Sequence, residues 1–90
     1  MSTENVDLIT PEQSRGARAL LDVTQPRLAS MAGLGLSTVV DFERSRRLVS
    51  KEAVQAICKA LQEAGVEFID ENGGGPGVRL RKRLRAKRPK

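Results

Sequence analysis

Sixteen of the 90 residues are lysine or arginine and none is histidine, so charge pairing is open to this chain and His-dependent catalysis is not. The cations gather in two places. Arg44, Arg46 and Arg47 stand together in mid-chain, and residues 76–90 hold eight basic side chains and no acidic one. Guanidinium and ammonium groups at such density bind phosphate oxygens without reading a base sequence. Nothing else offers reactive chemistry. The single cysteine, Cys58, has no histidine to pair with, which removes zinc-type ligand sets and nucleophile–base pairs. It borders an apolar stripe and reads as a small hydrophobe. The run from Gly73 to Gly77 lacks the Gly-Lys-Ser/Thr of a phosphate-binding loop and opens no helical pattern. No catalytic residue, metal ligand or cofactor is therefore expected, and no small-molecule substrate is evident.

The charge is unevenly spread. Residues 1–75 carry eight basic and eleven acidic side chains, a net −3, and residues 76–90 carry +8, which together make the overall +5. An isoelectric point near 10.1 ordinarily points to nucleic acid. In this chain the inference belongs to the end, because the body is slightly acidic. Apolar residues make up 39% and the aromatics are only Phe42 and Phe68, so an aliphatic core is expected. No run approaches the roughly 18 apolar residues of a membrane span, and no signal-peptide pattern opens the chain. A lone cysteine forms no internal disulfide, which fits a reducing cytoplasm.

The elements that must carry these groups are legible from caps and periodicity. Thr10-Pro11-Glu12-Gln13 has the order of a capping box with proline at the first helical position, opening a helix to about Leu21 with Ala17, Leu20 and Leu21 inward. Thr24 caps a second helix, with Leu28, Ala29 and Ala32 on its buried face, and Gly33 stops it. A third helical pattern, about Leu36 to Arg44, sets Val39 and Phe42 three residues apart. Ser50 caps a fourth, in which Val54, Ile57 and Leu61 recur and Ala60 and Ala64 extend the face. After Gly65 the period changes to alternation, in 66–70 and again in 78–81, which predicts a hairpin with Glu67 facing Arg79 or Arg81. A two-stranded ribbon is marginal alone, so it must pack on the helices or pair its edge with a second subunit.

The stretch from Thr24 to Arg44 resembles the DNA-binding domain of lambda-repressor-like regulators, also called the Xre or Cro/C1 type. The resembling motif is T-Q-x-x-L-A-x-x-A-G-L-x-x-S-T-V-x-D-F-E-R, filled by Thr24, Gln25, Leu28, Ala29, Ala32, Gly33, Leu34, Ser37, Thr38, Val39, Asp41, Phe42, Glu43 and Arg44. With flanking helices it covers roughly residues 10–70. The resemblance implies a mainly α fold: a compact four-helix lambda-repressor-like helix-turn-helix bundle, followed by a C-terminal β-hairpin and a disordered basic tail. The expected divisions are a flexible arm over 1–9, the helix-turn-helix domain over 10–65, the hairpin over 66–81 and the tail over 82–90.

The implied function is a small bacterial transcriptional regulator, repressor or activator, acting on double-stranded DNA; a homodimer is expected from the hairpin edge and the usual need for two half-sites. Family correspondence assigns base-edge contact to Leu36 and Ser37, with Val40 or Asp41 behind them. It assigns phosphate contact or support to Gln25 and Thr38, and backbone charge to Arg44, Arg46 and Arg47. It also implies a partly buried ion pair between Arg18 and Glu43; the blander alternatives are a solvated helix arginine for Arg18 and a solvated charged turn for Arg46 and Arg47.

The chain departs from the pattern at Gly35, where Ser or Thr usually caps, and at Leu36, where a polar reader is common. Val40 replaces a smaller or polar residue and Pro26 an acidic or polar one. Leucine touches a thymine methyl but offers no hydrogen bond. Leu36 and Val40 lie one turn apart on a face that would otherwise be exposed. A second reading follows, in which that face docks on another transcription regulator, as an antiactivator would.

Overall fold

The computed structural model describes residues 8–70 and 73–81. In chain order it contains α1 (Pro11–Leu21), α2 (Gln25–Ala32), α3 (Leu36–Glu43), α4 (Lys51–Glu63), β1 (Val66–Ile69) and β2 (Gly77–Leu80). The helix starts fall at the predicted caps. Thr10 and Gln13 form a reciprocal capping box, with Gln13 N donating to Thr10 Oγ1 at 3.0 Å and Thr10 N to Gln13 Oε1 at 2.9 Å. Thr24 and Ser50 accept from the backbone N–H three residues ahead, at 3.2 and 3.1 Å. Gly33 closes α2 at φ 71°, in the left-handed region that glycine enters without a Cβ penalty.

The core is aliphatic, as the composition predicts. Ala17, Leu28, Val39, Ile57 and Leu61 are wholly buried, joined by Phe42 and Val66. Two expectations are corrected. Leu20 does not face inward: it is 43% exposed, and the buried line of α1 runs through Gln13, Ser14 and Ala17. The hairpin and α3 pack along that line, so two polar side chains take places that periodicity alone gave to leucine. Ala64 does not extend the α4 face either, because the helix ends at Glu63 and Ala64 is an exposed C-cap. Ile9, within the stretch expected to be a flexible arm, is buried, and Leu8 is half-buried beside it. The rest of that arm, 1–7, and the basic tail, 82–90, lie outside the described residues.

β1 and β2 pair antiparallel with Val66 opposite Leu80, Glu67 opposite Arg79, Phe68 opposite Val78 and Ile69 opposite Gly77. Arg79 Nε meets Glu67 Oε1 at 2.7 Å on the outer face, while Arg81 reaches the Gln62 carbonyl at the end of α4. The ribbon packs on the bundle. Gln13 Nε2 donates to both strands at one end of the ladder, to Ile69 O at 3.2 Å and Gly77 O at 2.8 Å. One turn along α1, a Cβ on Gly16 would stand 3.2 Å from Val78 Cγ1, so glycine is what lets β2 lie this close.

Candidate nucleic-acid interface

α2 and α3 meet across the turn Gly33-Leu34-Gly35. Leu34 N returns to Ala29 O at 2.9 Å, and Leu34 packs against the core beneath the corner. α3 is consequently divided along its length. Val39, Phe42 and Glu43 are buried, whereas Leu36, Ser37 and Arg44 are exposed and Thr38, Val40 and Asp41 are half-buried between them. Its N-cap, Gly35, makes no side-chain capping bond.

Glu43 anchors the buried side. Its carboxylate is fully inaccessible and accepts from four directions: Arg18 Nη2 at 2.8 Å, Arg18 Nε at 3.0 and 3.1 Å, Gln25 Nε2 at 3.0 Å and Ser14 Oγ at 2.5 Å. Arg15 donates to the Glu43 carbonyl, and Arg18 Nη1 to Val23 O at 3.2 Å. Burial by itself would raise the Glu43 pKa. The hydrogen bonds from Arg18, Ser14 and Gln25, with the Arg18 charge, outweigh it and hold the carboxyl below its ordinary 4.5. A buried charge is tolerable only when its lone pairs are met in this way. The cluster ties α1 and the start of α2 to the end of α3, which sets the angle at which α3 is offered.

The open side carries a second network. Arg47 Nε meets Asp41 Oδ2 at 2.7 Å, and Arg46 Nη1 lies 4.0 Å from Asp41 Oδ1. The loop after α3 folds back to make these pairs, helped by Ser45 at φ 55°. Both arginines are more than half exposed, so the pairs hold position more than they stabilise. Val49 is half-buried against the core and anchors the loop; Leu48 does not, standing 94% exposed.

A helix-turn-helix family model matches residues 15–68, more than half of the chain, from α1 into β1. The chain belongs to the lambda-repressor-like helix-turn-helix family. No curated protein matches it in sequence. The family is one of DNA-binding regulators and not of enzymes. Among the described residues no helix is long and apolar enough to cross a membrane, and no group of three or more His, Cys, Asp or Glu is placed to hold a metal.

Within this lambda-repressor-like frame, the predicted residues separate into three sets. Leu36, Ser37 and Val40 share the outer part of α3 with the C-cap Arg44, and the half-buried Thr38 lies beside them. Asp41, Arg46 and Arg47 are bound to one another. Gln25, expected at phosphate, directs its amide nitrogen to Glu43 and so joins Arg18 in the buried cluster. Sequence reasoning missed Ser14 and Arg15 as partners of Glu43, and Gln13 as the grip on the hairpin. The available signal was the four-residue spacing of Ser14 and Arg18, which puts both on one side of α1.

Proposed function

We propose that this lambda-repressor-like protein is a transcriptional regulator that seats the start of α3 in the major groove of operator DNA. The observation that supports this best is the division of α3, with one side locked to the bundle through Glu43 and the other left open from Leu36 to Arg44. In this reading Leu36 and Ser37 lead into the groove, and Val40 and Asp41 follow one turn behind. Thr38 and the exposed part of Gln25 support the approach beside the phosphates. Arg44, Arg46 and Arg47 supply backbone charge, and two copies occupy two half-sites as a homodimer.

The test is binding of the full chain to DNA flanking its own gene against scrambled duplex, across a salt titration. A preference of about a thousandfold or more, lost in a Leu36→Asp, Val40→Asp double variant, supports operator binding. Binding that ignores sequence, depends steeply on salt and disappears when the chain is ended at Gly75 sinks it.

A second reading rests on the apolar character of the same face. Leu36 is 46% exposed, Val40 follows it by one turn, and α3 offers no cation before Arg44. Here the face docks on another transcription regulator as an antiactivator. Loss of that regulator's capture on Leu36→Asp, with no DNA preference in the parent protein, would favour it.

A further inference from the structure

We infer that, within the operator-binding reading on which this rests, Leu36 is the specificity-determining residue and selects pyrimidine C5 methyl groups, foremost those of thymine. The argument is an inventory of what the outer side of α3 has left to offer. Strong hydrogen-bond reading of a base edge needs a guanidinium, an ammonium, an amide or a carboxylate. At this surface Gln25 has its amide nitrogen on Glu43, 3.0 Å away. Asp41 is held by Arg47 at 2.7 Å with Arg46 at 4.0 Å, which ties down one carboxylate and two guanidinium groups together. Arg44 is exposed but sits at the C-cap, about 12 Å along the axis from Leu36 at 1.5 Å per residue. The leading turn is left with Leu36, Ser37 and Thr38. Serine and threonine hydroxyls both donate and accept, and so discriminate poorly among bases.

Leu36 is thus the one side chain of that turn with a strong preference. It is 46% exposed and, with Val40, stands apart from the hydrophobic cluster that takes in Leu34 and Val39. In the major groove an isobutyl group finds a complementary apolar partner only in a methyl at C5 of a pyrimidine. Thymine supplies it, and 5-methylcytosine presents the same group. Val40, one turn behind, widens the apolar strip so that it covers neighbouring steps.

The full-length chain is used to select from a randomised duplex library made with thymidine and, in parallel, from one made with deoxyuridine, which lacks only the methyl. The duplex enriched from the first library is then rebuilt with deoxyuridine at single thymines, and with cytosine or 5-methylcytosine at the same places. We expect each critical deoxyuridine to weaken binding by about fourfold, the worth of one buried methyl, and 5-methylcytosine to bind more tightly than cytosine. Leu36→Ala should shrink the thymine-over-uracil preference at the base that Leu36 covers, which closes a double-mutant cycle on the contact. The deoxyuridine arm uses the unaltered protein, so it stands whatever the variant does. Equal binding of thymine and uracil duplexes, with a sequence preference still present, overturns methyl selection while operator binding survives. Absence of any sequence preference in either library overturns both.

Discussion

Arg18 grips Glu43 through two of its nitrogens, Nη2 at 2.8 Å from Oε1 and Nε at 3.0 Å from Oε2, across 25 positions of chain. Ser14 and Gln25 complete the carboxylate's shell from α1 and α2. Three helices of the lambda-repressor-like unit therefore share one buried charge, and the exposed tip of α3 inherits its orientation from that point.

Glu43→Ala should cost roughly 3 kcal/mol or more at neutral pH, since it strands a largely buried arginine. The pH dependence has a definite sign. The folded carboxyl lies below its ordinary 4.5, so its stabilisation is complete above that value and disappears as the pH falls through 4.5 towards the folded pKa. Denaturant titrations of parent and variant from pH 7 down to 3 should show the stability gap closing in the acid range. A gap of constant size would contradict the assignment.

Gln13→Glu separates the two duties of one side chain. A carboxylate still accepts from Thr10 N, so the α1 cap persists, but the donors to Ile69 O and Gly77 O are lost. Two missing hydrogen bonds predict a loss of about 2 kcal/mol. It should be visible by amide exchange as faster opening of β1 and β2 with α1 protected. Equal acceleration in α1 would mean that the cap, and not the hairpin grip, had failed.

The two glycines flanking Leu34 should respond in opposite directions. Gly33 sits at φ 71° with open space where a Cβ would stand, so Gly33→Ala carries a purely conformational cost of about 1 kcal/mol. Gly35 has φ −75° and ψ 154°, an ordinary N-cap geometry with no capping side chain. Gly35→Ser should add a few tenths of a kcal/mol through the new cap. Thermal unfolding of both variants decides the matter, and a shift of the same sign in both would defeat it.

Asp41→Asn frees Arg46 and Arg47 at little cost to the fold, because both arginines are more than half exposed and asparagine keeps the shape of the half-buried Asp41. Affinity for random duplex should rise, and the slope of log K against log salt should steepen by up to about 2, one for each arginine released to phosphate. The comparison is between full-length parent and variant, so the basic residues after Gly75 contribute alike to both. An unchanged slope would place the two arginines away from the DNA backbone.

What could be read in this chain without coordinates was whatever acts over a few residues. Thr10, Thr24 and Ser50 cap the helices that follow them, and Gly33 ends α2, because a cap is satisfied within four positions of itself. The hairpin follows from alternation on either side of a glycine-rich stretch, which left Glu67 facing Arg79 or Arg81; the register of the ladder chose Arg79. The motif spacing also carried the Arg18–Glu43 pair through its resemblance to the family. Packing decided the rest. Gln13 reaches carbonyls 56 and 64 positions away, and no local pattern states which carbonyls will be there. Leu20 and Leu48 look like anchors by residue type, but among the described residues no element covers them, whereas Ser14 is buried because Glu43 arrives above it. Asp41 and Arg47 meet only because Ser45 turns the chain back on α3. A periodicity gives the direction in which a side chain points; whether it meets a core, a charge or solvent depends on the helix or strand that comes to rest there.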